Sequence, residues 1–161
     1  MPLDAPLFAA VAAEINPLLP VKIDRIYQPY TEEFVLSCYG RGQSFKLLCS
    51  LRHRYARLHL YEGEIENPTN ITPFGASLRK HFSGSKLIDI AAVPFERILR
   101  LTFEVFEETV GLSKKVVFLE LTGKSSNLVI TAEDGSILDL WRKSGGPQSR
   151  DRELAVDVKY E

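Results

Sequence analysis

An acid and a base lie side by side where one of the predicted strands of this chain begins. In VPFERILRLTFE, Glu96 and Arg97 follow Pro94, and the apolar residues from Ile98 onward are typical of a half-buried strand. A carboxylate next to a guanidinium is able to orient it for a forked contact with phosphate, or to accept a hydrogen bond from a base amino group. The alternative interpretation is a surface ion pair at a strand edge.

The most basic short stretch is LRHRYARLHL, at residues 51–60. It contains Arg52, His53, Tyr55 and Arg57. In a strand these residues place charge on both faces, so we expect at least the first half to be exposed. Arginine with tyrosine suits phosphate contact and stacking on unpaired bases. An ordinary solvated strand is the alternative.

Two further groups of residues suit contact with phosphate, one in a predicted helix and one in a turn. In the predicted helix PFGASLRKHF, Leu78 and Phe82 face the core, which leaves Arg79 and Lys80 towards solvent. Cations near a helix C-terminus also favour the helix dipole, which is a purely structural reason for their presence.

The turn TGKSSN places Gly123 and Lys124 where a backbone N–H and an ammonium group can meet phosphate. It lacks the preceding glycine and the spacing of a P-loop. Ser126 and Asn127 complete this candidate site. The alternative is that both residues cap the turn through local hydrogen bonds.

The charge distribution is more informative than the net charge of −1. There is no carboxylate between Glu33 and Glu62 or between residues 67 and 88, and both stretches are basic. A nearly neutral total therefore allows a basic face. No apolar run is long enough to span a bilayer and the N-terminus lacks a signal-peptide pattern, so we expect a cytoplasmic protein without a membrane partner. Cys38 and Cys49 are interpreted as reduced core thiols.

Enzyme signatures are absent from the sequence. There is no Walker loop, GxGxxG, CxxC, HExxH or GxSxG, and the three histidines have no metal-ligand spacing. We therefore expect no cofactor, no metal, no small-molecule substrate and no enzymatic activity. One alternative is a DNA-repair glycosylase in which Pro2, exposed by removal of Met1, attacks an aldehyde. That chemistry uses an acid directly after the proline, where this chain has Leu3.

The pattern of elements predicts an α+β fold. Residues 3–16 suit a helix with Asp4 as N-cap and Leu7, Val11 and Ile15 on one face, and PFGASLRKHF begins after Thr72 and ends at Gly84. The remaining apolar segments read as about nine short antiparallel strands: VKIDRIYQ, EFVLSCY, SFKLLCS, RYARLHLY, KLIDIAAV, RILRLTFEVF, KKVVFLEL, SNLVITA and SILDLW. We expect a β sandwich or partly open barrel over residues 1–143, followed by a tail at 144–161.

Several segments together resemble the N-terminal domain of the NFACT family. They are KIDRIYQPY, KLLCSLRHRYARLHL, ENPTNITPFGASLRKHFSGSKLIDI, FERILRLTFE, LELTGKSSNLVI and EDGSILD, in the family's order. The resemblance implies the fold of the formamidopyrimidine-DNA glycosylase N-terminal domain without its chemistry. It also implies downstream modules, including helix-hairpin-helix and coiled-coil segments.

The function implied by this resemblance is ribosome quality control. Family members bind the large ribosomal subunit with stalled peptidyl-tRNA and recruit tRNA for alanine tailing of the nascent chain. The family's Asp-Arg pair for tRNA handling corresponds to Glu96 and Arg97, so the carboxylate carries one extra methylene here. Asp4 resembles the family's N-terminal acid, although Ala5 stands where the family has glycine. An older label for the family, fibronectin-binding protein, suggests a surface adhesin as a further alternative.

Overall fold

The computed structural model describes residues 5–54, 56–65, 71–122, 125–142 and 155–160. The helices are α1 (Ala5–Ile15) and α2 (Pro73–Phe82), with a 3-10 turn at Asn16–Leu18. The strands are β1 (Val21–Tyr30), β2 (Glu33–Gly40), β3 (Gln43–Ser50), β4 (Arg57–Tyr61), β5 (Lys86–Ala92), β6 (Ile98–Glu107), β7 (Gly111–Glu120), β8 (Asn127–Ala132) and β9 (Ile137–Leu140). The predicted two helices and nine strands are therefore confirmed.

Helix α1 buries a face that overlaps the predicted one but is rotated from it: Ile15 is buried and Val11 packs against the core, as predicted. Phe8, Ala12 and Ile15 are buried, whereas Leu7 is about half exposed. The observed set follows the i, i+4, i+7 spacing and stays within roughly 60° of the helix circumference. Asn16 fixes the helix on the sheet, because its side chain donates to the Ile90 carbonyl and accepts from the Ile90 N–H.

Helix α2 begins and ends where the sequence predicts. The Thr72 hydroxyl accepts a hydrogen bond of 3.1 Å from the Gly75 N–H, and Gly84 has a positive φ of 80°. The Gln28 side chain on β1 accepts from both the N–H and the hydroxyl of Thr72. As predicted, Leu78 and Phe82 are buried, and Phe82 packs 4.4 Å from the Phe103 ring.

The strands form one antiparallel sheet in the order β4-β3-β2-β1-β5-β6-β7-β8-β9. Its two halves, β1–β4 and β5–β9, are joined by a short ladder of two residue pairs, Val21 with Leu87 and Lys22 with Lys86, which hydrogen bonds of Ile23 to Gly84 and Ser85 extend. Residues from both halves line one small apolar cavity of about 30 Å³, so the halves face each other across the core. The edge strands β4 and β9 do not pair, which gives the predicted sandwich-like, unclosed arrangement.

Residues 155–160 lie along the β8–β9 hairpin. Val158 accepts a hydrogen bond from the Ile137 N–H, and Lys159 pairs with Asp134. The Tyr160 ring stacks on Phe118 at 4.2 Å and helps to cover a second small apolar cluster. The domain boundary at residue 143 stays a prediction, but this part of the predicted tail packs on the sheet.

Both cysteines are buried and form no disulfide, as predicted. Cys38 and Cys49 lie on the neighbouring strands β2 and β3. Burial raises the pKa of each thiol to about 12, so both are protonated thiols near neutral pH.

Candidate functional site

The turn before β6 presents Glu96 and Arg97 on the surface. Both residues are exposed, and so is the whole side chain of Phe95, which has a φ of 63°. A positive φ is unfavourable for a bulky side chain, so the turn holds Phe95 in a strained backbone. The Glu96 N–H donates to the Val93 carbonyl at 3.2 Å, which closes the turn. Phe95 was not identified from the sequence, although its place beside the charged pair was visible.

The side chains of Glu96 and Arg97 do not pair with each other. Both residues are exposed, and no ion pair joins their side chains. The alternative interpretation, a surface ion pair at a strand edge, is therefore wrong. The carboxylate and the guanidinium are presented separately to solvent.

This turn is bonded to the segment that follows β7. The Arg97 carbonyl accepts a hydrogen bond of 2.9 Å from the Leu121 N–H, and Ile98 pairs with Glu120. Two of the sequence-predicted sites, the Glu96–Arg97 pair and the TGKSSN turn, are thus neighbours in space. Gly123 and Lys124 themselves lie outside the described residues.

Ser126 and Asn127 are buried, which corrects their assignment as direct contact residues. Ser126 is 0% and Asn127 3% exposed. The Asn127 side chain donates to the Arg142 carbonyl at 2.8 Å and accepts from the N–H groups of Leu128 and Arg142 at 2.9 Å. Asn127 therefore joins the start of β8 to the end of β9. The sequence predicted RNA contact, with local capping as the alternative, because no local pattern indicates a partner 15 residues away.

A cleft of about 740 Å³ lies beside the Glu96–Arg97 turn on the outer face of β6 and β7. Its lining includes Glu96, Arg100, Phe118, Glu120, Ser125 and Tyr160. Glu120 is buried and accepts a short hydrogen bond from the Tyr160 hydroxyl. The cleft thus offers one exposed cation, Arg100, next to an aromatic wall of Phe118 and Tyr160.

The basic stretch at residues 52–57 lies elsewhere and is partly neutralised. Residues 52–54 lie in a turn and β4 begins at Arg57, so the predicted strand over RYARLHLY is too long at its start. Arg52 pairs with Glu32 at 3.6 Å and with Glu33 at 3.7 Å, and Arg57 pairs with Glu33 at 3.8 Å. His53 is exposed, and Tyr55 lies outside the described residues.

The Glu96–Arg97 turn and the basic stretch at residues 52–57 do not share one pocket or one end of the sheet. Strands β1 and β5 pair only through their first residues and run in opposite directions. The C-terminal end of β1 leads to the acidic turn beside Arg52, whereas the C-terminal end of β5 leads to Arg97. Arg52 and Arg97 thus lie at different ends of this pair of strands, so they do not belong to one basic face of the kind that the charge distribution allows.

The predicted contact residues of α2 are exposed. Arg79 and Lys80 lie on its solvent side, and the Arg79 Nε donates 2.9 Å to the Ile26 carbonyl. Arg79 therefore also anchors the helix on β1. Asp4, the remaining predicted site residue, lies outside the described residues, as does Pro2.

A mixed-charge cluster holds α2 against β7. The Lys115 ammonium lies 3.0 Å from His81 Nδ1 and 2.8 Å from Glu107. Burial and the nearby charges of Lys115 and Lys80 lower the pKa of His81. A neutral imidazole is thus able to accept the hydrogen bond that Lys115 donates.

The described part of the chain holds neither a metal-ligand cluster nor a helix that could span a membrane. No three His, Cys, Asp or Glu side chains come together there as metal ligands. Neither described helix has the length and apolarity needed to cross a bilayer.

Comparison with known proteins identifies the family. The pattern of the NFACT N-terminal and middle domains matches residues 4–161. The chain belongs to the NFACT family. The resemblance inferred from KIDRIYQPY, FERILRLTFE and the other segments is therefore confirmed.

Relatives of this NFACT chain are much longer than the chain itself. A Bacillus subtilis (strain 168) protein named Rqc2 homolog RqcH is 29% identical over 119 residues, which cover 73% of this chain and 21% of that protein. A Streptococcus pneumoniae (strain D39) protein of the same name is 29% identical over 140 residues, covering 86% of this chain and 25% of that protein. The chain thus spans a quarter or less of these relatives.

Solved structures of NFACT relatives confirm the fold. The N-terminal domain of fibronectin-binding protein PavA from Streptococcus pneumoniae superposes with a TM-score of 0.90 at 27% identity, covering 98% of this chain and 60% of that one. The N-terminal region of a fibronectin/fibrinogen-binding protein from Streptococcus suis gives a TM-score of 0.90 at 26% identity, covering 99% and 60%. The further likeness to the glycosylase N-terminal domain stays a prediction.

Proposed function

We propose that this NFACT chain is the RNA-binding module of a ribosome-associated quality-control factor. In this role it binds the large ribosomal subunit carrying stalled peptidyl-tRNA and recruits tRNA for C-terminal alanine tailing. It acts in the cytoplasm by binding and positioning RNA, without catalysing a reaction itself. Membership of the family, and relatives that carry the name Rqc2 homolog RqcH, support the proposal.

The single observation that carries the proposal is the position of Glu96 and Arg97. Both side chains are exposed on one turn, and the hydrogen bond from Leu121 to Arg97 holds that turn against the segment leading to Lys124. An exposed guanidinium suits a forked contact with phosphate, and a separate carboxylate accepts from a base amino group. Unpaired RNA loops present both groups together.

Phe95 adds a stacking surface to the same turn. Its ring is fully exposed although the backbone there is strained. An aromatic side chain in water gains by stacking on an unpaired base, about 1–3 kcal/mol per base in single-stranded complexes. A turn with a guanidinium, a carboxylate and a free ring therefore resembles a single-strand RNA contact more than a protein–protein contact.

Titration of the chain with fluorescently labelled tRNA at several salt concentrations tests this function. We expect Arg97→Ala to weaken binding and to reduce the slope of log K against log salt by about 1, because one phosphate contact is lost. Arg25→Ala, which removes an exposed arginine on β1, is the matched control and should leave the slope unchanged. A wild-type chain that binds tRNA equally at low and high salt would contradict the proposal.

A second candidate function is fibronectin binding. It is favoured by the descriptions of the two solved relatives as fibronectin-binding proteins. Solid-phase binding of the purified chain to immobilised fibronectin, with and without competing tRNA, separates the two functions. Saturable fibronectin binding that Arg97→Ala does not change would assign it to another surface of the molecule.

A further inference from the structure

A second pocket, of about 310 Å³, lies on the outer face of β2, β3 and β4. The paired residues Val35 and Leu48 form its apolar floor, on the side of the sheet opposite the core residues Phe34 and Leu47. Tyr30, Glu33, Arg57 and Tyr61 provide its other main surfaces. It shares no lining residue with the cleft beside Glu96.

Glu33 places a buried carboxylate in this pocket. The residue is only 7% exposed, and its two arginine partners, Arg52 and Arg57, lie 3.7 and 3.8 Å away. Both distances are longer than a hydrogen bond. Within the described part of the chain, no donor completes a hydrogen bond to this carboxylate. The two arginines compensate its charge through ion pairs, and its oxygens keep the capacity to accept hydrogen bonds from a ligand in the pocket.

The pocket has two aromatic walls that are held in place. Lys46 donates to the Gly63 carbonyl at 3.0 Å, and Gly63 lies so close to Tyr61 that an added Cβ would meet the Tyr61 hydroxyl at 2.3 Å. Arg52 covers the Tyr30 ring at 4.7 Å but does not line the pocket. Tyr30 is 60% exposed and Tyr61 is half-buried, and both line the pocket, so each ring has surface available to a planar ligand.

The guanidinium of Arg57 is also oriented. Its Nε lies 3.0 Å from His59 Nε2, and His59 Nδ1 lies 2.7 Å from the Leu60 carbonyl. This arrangement requires the neutral tautomer of His59 that donates at Nδ1 and accepts at Nε2. The Arg57 guanidinium is thus held at the side of the pocket next to Glu33.

We propose that this pocket binds an unpaired guanine base. Guanine presents two adjacent donors, N1–H and the 2-amino group, which match the carboxylate of Glu33. Tyr30 and Tyr61 supply the stacking surfaces that unpaired bases use in proteins.

The surroundings of the pocket favour a base carried by RNA. His53 and Arg54 are exposed in a turn that precedes β4, so phosphates flanking the base would meet polar N–H donors there. This assignment rests on the proposed RNA-binding function, but it does not depend on the ribosome or on Arg97.

Titration of the whole chain with mononucleotides tests the base preference. We expect guanosine 5′-monophosphate to bind about tenfold or more tightly than the adenosine, cytidine and uridine monophosphates. Inosine 5′-monophosphate, which lacks only the 2-amino group, should fall between guanosine and adenosine. Equal binding of all five nucleotides, or no binding at millimolar concentration, would overturn the proposal without any variant.

Variants test whether the guanine preference arises in this pocket. Glu33→Gln keeps the size of the side chain but replaces one acceptor by a donor, so the guanine preference should disappear. Glu32→Gln is the matched control, because Glu32 is exposed, also pairs with Arg52 and does not line the pocket. Thermal unfolding of both variants checks the fold. A guanine preference retained in a folded Glu33→Gln variant would overturn the assignment to this pocket.

Short RNAs distinguish the source of the base. UUGUU should bind at least tenfold more tightly than UUAUU and than guanosine 5′-monophosphate if RNA phosphates contribute. Equal binding of UUGUU and the mononucleotide supports a free guanine nucleotide as the ligand of the same pocket. Binding of tRNA by a chain that shows no preference between UUGUU and UUAUU would overturn the pocket and leave the proposed function standing.

Discussion

The carbonyl of Arg97 accepts a hydrogen bond of 2.9 Å from the N–H of Leu121. This bond joins a turn between β5 and β6 to the segment between β7 and β8, residues that are 24 positions apart in the chain. It continues the β6–β7 ladder by one step beyond the Ile98–Glu120 pair. The side chain of Arg97 is therefore presented from a backbone that the sheet itself fixes.

Because the backbone at Phe95 is strained and its ring is exposed, we expect a substitution there to raise stability and to weaken RNA binding. Phe95→Asn should stabilise the fold by about 1 kcal/mol, because asparagine tolerates a positive φ and no buried surface is lost. The same substitution should weaken tRNA binding, because the exposed ring is removed. Denaturant unfolding and tRNA titration of one preparation test both effects, and unchanged tRNA affinity would exclude stacking by Phe95.

We expect Asn127 to contribute to the stability of the fold and not to contact RNA directly. Asn127→Ala removes three hydrogen bonds and leaves the buried Leu128 N–H and the part-buried main-chain groups of Arg142 without this partner, so we expect a loss of roughly 2–3 kcal/mol in the free energy of unfolding. Ser125→Ala, two residues earlier and exposed, is the matched control. If Asn127→Ala left stability unchanged and abolished tRNA binding, Asn127 would be a contact residue after all.

Substitutions of Thr72, at the start of α2, should lower the free energy of unfolding by amounts that depend on whether the hydroxyl is kept. Thr72→Ala removes the N-cap acceptor for Gly75, and one of the two donors to Gln28, so the free energy of unfolding should fall by about 1–2 kcal/mol. Thr72→Ser retains the hydroxyl and should recover most of this loss. Chemical unfolding of the three proteins measures the difference, and equal losses for alanine and serine would contradict the capping role.

The lowered pKa of His81 predicts a dependence of stability on pH. Around His81 lie Lys115, Lys80, Asp139 and Glu107. The unfolded chain protonates this imidazole near its ordinary pKa of 6.5, whereas the folded chain does so only at lower pH. Stability should therefore be full above about pH 6.5, and should decline as the pH falls from there towards the lowered folded-state pKa.

Comparison of melting temperatures between pH 7.5 and pH 5 tests this dependence. His81→Gln should lose less stability over that range than the wild-type chain, because it carries no imidazole there. His53→Gln, which changes an exposed histidine, should behave as the wild type does. Identical pH profiles for wild type and His81→Gln would contradict the role of His81.

Local patterns were sufficient to predict the elements but not their partners. The signals around Thr72, Pro73 and Gly84 lie within a few residues, so α2 was predicted correctly. At residues 52–54, charged and aromatic residues alternate as they would in a strand, but ion pairs to Glu32 and Glu33 hold a turn there. Those acids precede the basic stretch by about 20 residues, and only the folded sheet brings them together.

The candidate site shows the same limit. The exposure of Arg97, Arg79 and Lys80 follows from their own positions in a turn and a helix. Burial of Asn127 depends on Arg142, and the pocket around Glu33 depends on β4 lying beside β3. Pairing of strands distant in sequence, such as β1 with β5, is not encoded in any local pattern.

Co-sedimentation with large ribosomal subunits that carry peptidyl-tRNA tests the central claim most directly. Wild-type chain, Arg97→Ala and the control Arg25→Ala would be compared at low and physiological salt. We predict that the wild type and the control co-sediment with the subunits, and that Arg97→Ala does so with markedly lower occupancy. Failure of the wild-type chain to co-sediment under either condition, or equal occupancy of all three proteins, would contradict the account.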